Sequence, residues 1–282
     1  MTRQAGSAVT PASPTSFPRT VARRRRGPWS ASQRLSGVAI DLGSVRTRAW
    51  MPDHGLIIDA PTIISAGAGG GSRPVHRGVV VDKAGTARVL ERLLGRRAGL
   101  GQYSMVVLTT PVLCPGQHES VTRVALEVLD PRVVLTIDGV KAAALGAGAD
   151  FARPLLVLDI GAGLTEVGLL VDGAVTQAHR LNVGTSNLGA TTTVAELVQS
   201  IVAVVTDLLH LDCGGLVVDA LDRGPLLTGG GALRPEITYR LAKQLQAPVS
   251  PAPAPHTAAV RGAGLAMVAA HRHPSMLSEQ PH

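Results

Sequence analysis

Residues 155–170, Leu-Leu-Val-Leu-Asp-Ile-Gly-Ala-Gly-Leu-Thr-Glu-Val-Gly-Leu-Leu, constrain this chain more than any other stretch. They read as a buried strand, a glycine turn and a second buried strand. Asp159 stands where the first strand ends. Gly161 and Gly163 free backbone N–H groups to point at an anion, and Thr165 adds a hydroxyl beside them. A carboxylate next to a phosphate cradle repels phosphate unless a metal lies between, so the motif implies Mg2+ held mainly through water. A single copy is equally compatible with an ordinary hairpin carrying a polar turn.

The motif occurs twice. Residues 38–50, Val-Ala-Ile-Asp-Leu-Gly-Ser-Val-Arg-Thr-Arg-Ala-Trp, repeat the apolar strand, the Asp-X-Gly turn, the hydroxyl residues and the second apolar strand. Two copies point to two similar domains facing one nucleotide. A third segment, Leu226-Leu227-Thr228-Gly229-Gly230-Gly231-Ala232-Leu233, reads as strand, triple glycine and helix start. A turn of that kind lets a flat ring approach the backbone closely.

The order D-L-G-S-V-R-T, D-I-G-A-G-L-T-E-V, L-T-G-G-G-A-L resembles the superfamily of actin, sugar kinases and heat-shock chaperone ATPases, and within it the bacterial actins MreB and Mbl. Arg73-Pro74 through Gly78-Val79-Val80-Val81-Asp82, the run Ala142–Gly148 and Asp222-Arg223-Gly224 fit the same pattern, so the resemblance spans about residues 37–270. It implies an α/β, actin-like ATPase fold: two ribonuclease-H-like domains around a nucleotide cleft, here reduced to the two large subdomains. It assigns Asp41, Gly43, Ser44 and Thr47 to one phosphate loop, and Asp159, Gly161, Gly163 and Thr165 to the other. Gly229, Gly230 and Gly231 lie under the adenine, and Asp41 and Asp159 hold Mg2+ through water. ATP is the implied ligand, and the implied partners are a second copy or a full-length MreB-type protein.

The chain departs from that pattern in places. In related ATPases, the residue three before the alanine run is a glutamate or glutamine that positions the attacking water. Here that residue is Gly139, followed by Val140 in place of the usual proline. Asp138, one residue early and shorter, is the candidate substitute, and Lys141 on the same turn is its candidate ion partner. Leu164 replaces a hydroxyl residue, Ala162 replaces a glycine, and Gly184-Thr185-Ser186-Asn187 replaces a G-G-D turn. The expectation is weak Mg-ATP binding with impaired hydrolysis. The family's two small outer subdomains have no room between residues 65 and 79 or between residue 184 and the helix that begins near Thr193. Their loss removes contacts to ribose and adenine and much of a filament's longitudinal surface.

Charge is unevenly spread. The net charge is +7, yet residues 1–40 hold seven arginines and no acid, which leaves twenty basic and twenty acidic side chains elsewhere. Residues 1–36, rich in Pro, Ser, Thr, Ala and Arg, read as a disordered basic tail. Arg23, Arg24, Arg25 and Arg26 beside Trp29 suit an anionic membrane surface, nucleic acid, or plain solvation. The MreB resemblance favours lipid over nucleic acid, hence a cytoplasmic location on the inner face of the membrane. No apolar run reaches the ~20 residues of a membrane span. Cys114 and Cys213 show no metal or redox spacing.

The remaining pattern alternates strand and helix, which argues α/β. Aromatics are 2% of the chain, so the core is aliphatic. Strands are expected at 37–40, 46–51, 56–65, 105–110 and 133–137, with helices at 79–98, 118–129 and 140–149. Val121, Val124, Ala125 and Val128 are expected inward. Residues 171–183 read as a hairpin around Asp172-Gly173, 193–209 as a strongly amphipathic helix, and 234–245 as a helix with Pro235 at its start. Residues 248–255 read as a rigid link, and 257–271 as a helix bearing Val260, Leu265 and Val268. Domain I is placed at 37–152, with helix 257–271 packing back on it, domain II at 153–256, and a polar tail at 272–282. A P-loop is ruled out by the missing G-x-x-x-x-G-K-[ST], and a dinucleotide-binding unit fits poorly because Asp159 crowds the pyrophosphate. Three functions fit: a cytoskeletal protein of cell shape or envelope synthesis, a degenerate ATP-binding adaptor that modulates a full-length MreB, and a small-molecule kinase.

Overall fold

The computed structural model describes residues 36–64, 71–95, 103–114 and 116–272. The basic segment with Arg23–Arg26 and Trp29, most of the glycine link at 66–72 and the tail beyond Arg272 lie outside the described residues.

The chain builds one sheet twice. Strands β1 (Gly37–Leu42), β2 (Arg46–Met51) and β3 (Gly55–Pro61) form an antiparallel meander. A short hairpin, β4 (Val75–His76) and β5 (Val79–Val80), leads into α1 (Lys83–Leu94). Then come β6 (Met105–Thr110), α2 (Gly116–Leu126), β7 (Val133–Asp138) and α3 (Gly139–Ala147). Both β6 and β7 are parallel to β1, and the sheet order is β3-β2-β1-β6-β7.

The second half repeats the plan with β8 (Leu155–Ile160), β9 (Thr165–Val171) and β10 (Ala174–Leu181) as the meander. After it come α4 (Val194–Leu209), α5 (Gly214–Arg223), β11 (Leu226–Thr228), α6 (Pro235–Leu245), β12 (Ser250–Pro251) and α7 (Ala258–His271). The second sheet runs β10-β9-β8-β11-β12, the same order as the first.

Each sheet is covered on both faces, which is why its central strands are continuous apolar runs. Val38 and Ile40 of β1 face Leu90 and Leu94 of α1, while Ala39 faces Val260, Ala263 and Met267 of α7. In the second sheet, Leu156, Leu158 and Ile160 of β8 face α4 and α6, and Leu155 and Val157 face Val140 and Ala144 of α3. The central pair α3 and α7 therefore lies between the two sheets. Their backbones nearly touch: a Cβ at Gly262 would sit 1.7 Å from the Ala142 carbonyl oxygen, and one at Gly146 would sit 1.9 Å from that of Ala258.

Several local expectations change. Residues 79–80 are strand, and the helix starts at Lys83 because Asp82 caps it, accepting a hydrogen bond from the Gly85 N–H at 2.8 Å. Ser250 and Pro251 pair with β11 as an edge strand, where a proline without N–H is tolerated, so 248–255 is more than a link. Helix α5 has no counterpart in the sequence reading. Val124, expected inward, is 46% exposed, and Leu265 on the last helix is 50% exposed. The Asp172-Gly173 turn does form, with both residues at positive φ as a two-residue hairpin of this type requires. Between β10 and α4 the described chain holds a single 3-10 turn at Thr185–Asn187 and an isolated bridge.

Candidate functional site

The two Asp-X-Gly turns have the same geometry. Gly43 N–H donates to the Arg46 carbonyl at 3.1 Å, and Gly161 N–H donates to that of Leu164 at 2.8 Å. A side chain at either glycine would strike that carbonyl, at 2.8 and 3.0 Å respectively. The turns meet across a gap: a Cβ at Gly163 would lie 3.8 Å from Ser44 Oγ. The third turn closes the gap from the side. Gly229 has φ 78°, and a Cβ on it would lie 2.3 Å from Asp159 Oδ1.

Around these turns lies a cavity of about 440 Å³. Of the predicted residues, Asp41, Gly43, Ser44, Asp159, Gly161, Gly163, Gly229 and Gly230 line it. Ser44 Oγ also accepts from the Gly78 N–H at 2.9 Å. Ala162, Leu164 and Thr185, which mark departures from the family pattern, are on the wall as well.

Four predicted residues are elsewhere. Thr47 is fully buried on β2, sharing a 2.8 Å hydrogen bond with Thr62, because alternation along the strand turns it into the core. Thr165 is also fully buried and donates to the Val183 carbonyl at 2.8 Å. Gly231 packs under the wall, where a Cβ would meet Ile160 Cγ2 at 2.4 Å. Asp138 ends β7 outside the cavity lining; burial raises its pKa, and Lys141 on the next helical turn lowers it.

The sequence reading missed a set of charged side chains on the same wall: Arg46, Arg48, Asp59, Glu166 and His256. Arg48, whose side chain is 15% exposed, reaches Asp41 at 3.6 Å and Asp59 at 3.3 Å, and Arg46 pairs with Asp59. Asp41 also accepts from Thr109 Oγ1 at 2.9 Å. His256 Nδ1 is buried with no hydrogen-bond partner among the protein atoms. The missed signal was register. Arg48 stands opposite Asp41, and Glu166 stands opposite Asp159.

Burial disfavours charge on the central acids. It raises the Asp41 pKa against the pull of Arg48. Burial, then repulsion from Asp41, pushes Asp159 up to about 7. Glu166, 6% exposed, is pushed to about 8 by burial and then by Asp159, although Val112 N–H donates to its Oε1 at 2.6 Å. A buried aspartate whose pKa is raised further by a neighbouring carboxyl suits a hard cation held between the two. Among the described residues, no group of three or more His, Cys, Asp or Glu forms a metal cage, so water and phosphate oxygens would complete its shell.

A sequence model of the family described as MreB/Mbl protein matches residues 70–192 and 186–274. The chain belongs to the MreB/Mbl family. It is 21% identical to the cell shape-determining protein Mbl of Bacillus subtilis over 314 residues, covering 81% of this chain and 94% of that protein. The Bacillus cereus Mbl matches equally. The match is longer than the 282-residue chain itself, so stretches of Mbl have no counterpart in this MreB/Mbl-family member. Among solved structures, MreB5 of Spiroplasma citri bound to ADP superposes with a TM-score of 0.72 at 16% identity, covering 84% of this chain and 98% of MreB5. The AMPPNP-bound form gives 0.73 at 17%, covering 85% and 98%. The ethanolamine utilization protein EutJ of Carboxydothermus hydrogenoformans gives 0.53 at 17%, covering 81% and 88%. These likenesses show the actin-like fold. Among the described residues, no helix is long and apolar enough to cross a membrane.

Proposed function

We propose that this MreB/Mbl-family chain is a cytoskeletal protein of the cell-shape or envelope machinery that holds Mg-ATP in the cleft between its two sheets and turns it over slowly. The observation that carries the reading is the meeting of three glycine turns around one cavity with two aspartates in its wall. Gly43, Ser44, Gly161 and Gly163 face the phosphates, Gly229 and Gly230 lie under the adenine, and Asp41 and Asp159 hold Mg2+ through water. ADP and AMPPNP in the two solved MreB5 structures, and the cell-shape role of the Mbl relatives, support it. Slow turnover follows from Gly139, which offers no side chain to a water, and from Leu164, which removes a hydroxyl from the second loop.

The short connections between β3 and α1 and between β10 and α4 favour a second role beside self-assembly, co-assembly with a full-length MreB-type protein. Arg23–Arg26 and Trp29 would then tether the assembly to anionic lipid.

The test is a titration of purified protein with Mg-ATP beside Asp159→Ala. Saturable binding lost in the variant supports the cleft reading, and equal binding by both proteins, or none by either, rejects it. Sedimentation with and without ATP, alone and mixed with a full-length MreB, then separates self-assembly from co-assembly.

A further inference from the structure

Each sheet lays a row of three charged side chains across its meander, and the two rows are ordered differently. In the first sheet, register sets Asp41, Arg48 and Asp59 side by side on β1, β2 and β3. In the second it sets Asp159, Glu166 and Arg180 on β8, β9 and β10. The cation stands next to the aspartate in the first row and one strand further out in the second. Arg180 is absent from the cavity lining and donates to the Arg77 carbonyl at 3.2 Å. Among the described residues that line the cavity, the arginines are Arg46 and Arg48, both on β2. The first aspartate is thus already supplied with a cation. Its Oδ1 accepts from Thr109 Oγ1 at 2.9 Å, and its Oδ2 lies 3.6 Å from Arg48 Nη1. Asp59 holds Arg48 from the other side, with Oδ1 3.3 Å from Nε. Arg46 is engaged elsewhere, pairing with the Asp59 carboxylate and donating to the Asp59 carbonyl at 2.7 Å. A guanidinium is always charged and carries five N–H donors, and Arg48 Nε has no hydrogen-bond partner among the protein atoms. An anion entering between the glycine turns therefore meets a fixed, weakly screened positive charge that belongs to the chain.

We propose that Arg48 is a built-in counter-cation at Asp41, and that this cleft therefore binds a nucleoside triphosphate with little dependence on a divalent cation. The inference rests on the cleft being an ATP site. The physical reason is charge balance. Asp41 and Asp59 face two arginines, so the first loop presents no net negative charge to a phosphate. Mg2+ then adds charge mainly on the Asp159 side, where the lining holds Glu166 and, among the described residues, no arginine or lysine. Arg48 is gripped from both neighbouring strands, so it is in place before the ligand arrives and little side-chain entropy is lost when the ligand binds.

The experiment titrates the full chain with ATP in Mg2+ and again in EDTA, for wild type, Arg48→Leu, Arg48→Lys and the double variant Asp41→Asn with Arg48→Leu. Wild type should lose no more than about tenfold in affinity when Mg2+ is removed. Arg48→Leu should lose about tenfold to a hundredfold more than that in EDTA, while its affinity in Mg2+ falls much less. Arg48→Lys keeps the charge and should keep most of the metal-free binding. Leucine alone leaves Asp41 and Asp59 short of a partner, so melting temperatures without nucleotide check that the chain folds. The double variant removes the stranded carboxylate and should bind ATP in EDTA more tightly than Arg48→Leu. A merely structural role for Arg48 predicts equal losses in Mg2+ and in EDTA, and that pattern overturns the proposal. Wild type that binds ATP in Mg2+ and not in EDTA also overturns it and leaves the nucleotide cleft standing, whereas wild type that binds in neither rejects both.

Discussion

Gly229 and Gly230 are neighbours under opposite constraints. Gly229 has positive φ, and a methyl group on it would strike Asp159 Oδ1 and the Ile160 carbonyl; Gly230 has open space around it. Gly229→Ala should therefore lower unfolding free energy by about 1–3 kcal/mol and displace Asp159. Gly230→Ala should stay within about 0.5 kcal/mol of wild type while weakening nucleotide binding, because its methyl enters the cavity. Urea denaturation and ATP titration of both variants check the pair. The buried acids give a second prediction at this scale. Folding raises Asp159 to about 7 and Glu166 to about 8 from ordinary values near 4, so between those limits the folded chain binds more protons than the unfolded one. The stability these two groups contribute to the nucleotide-free protein is fully present only below about pH 4 and is lost progressively as pH rises from there through about 8, by at most ~1.4 kcal/mol per pH unit for each group. Melting temperature should fall between pH 5.5 and 8.5, and Glu166→Gln should flatten the slope. A melting temperature that climbs steadily across that range would contradict the burial of these carboxyls.

At the scale of elements, the α3–α7 crossing depends on Gly146 and Gly262, whose missing side chains let the helices approach backbone to backbone. Arg261 ties the crossing further, donating to the Gly146 carbonyl and to Thr257 Oγ1, both at 2.9 Å. Gly262→Ala should lower stability by about 1–3 kcal/mol through overpacking. Because α3 begins at Gly139 on the cavity wall, nucleotide affinity should fall with it. Thr193 at the start of α4 is a contrasting case. It forms a capping box with Glu196, with Glu196 N–H donating to Thr193 Oγ1 at 3.2 Å and Thr193 N–H to Glu196 Oε2 at 2.8 Å. Thr193→Ala should lower stability by about 1 kcal/mol and leave the cleft, and therefore ATP affinity, unchanged. Chemical denaturation of the two variants beside ATP titrations separates the effects.

For the whole molecule, a ligand held by turns from both sheets stabilises the arrangement in which those turns meet. At a nucleotide concentration of 100 times Kd the gain is about 2.7 kcal/mol, which in a chain of this size raises the melting temperature by roughly 5–10 °C. Mg-ATP should produce that shift in wild type and none in Asp159→Ala. A shift retained in the variant would place the nucleotide somewhere other than this cleft.

Local rules made much of this chain readable before any tertiary information. Apolar runs bounded by Asp-X-Gly gave both hairpins, the 3.6-residue period gave α4, and the order of three glycine motifs pointed to the actin-like plan that the fold and the family match bear out. Glycine spacing also placed eight predicted residues on one cavity, since a turn dictates where its own backbone points. Tertiary structure decided which side chains face that cavity. Thr47 and Thr165 carry the expected hydroxyls, yet strand alternation and core packing turn both inward. Arg48 and Glu166 are not marked as facing the site by local pattern, because each reaches it through cross-strand register. Helix α5 escaped notice because its start, Gly214-Gly215, reads as loop until Val217 and Ala220 find the second core. Sequence fixes what a segment does by itself; which charge faces which depends on pairing between segments distant along the chain, and that pairing exists only once both sheets are folded.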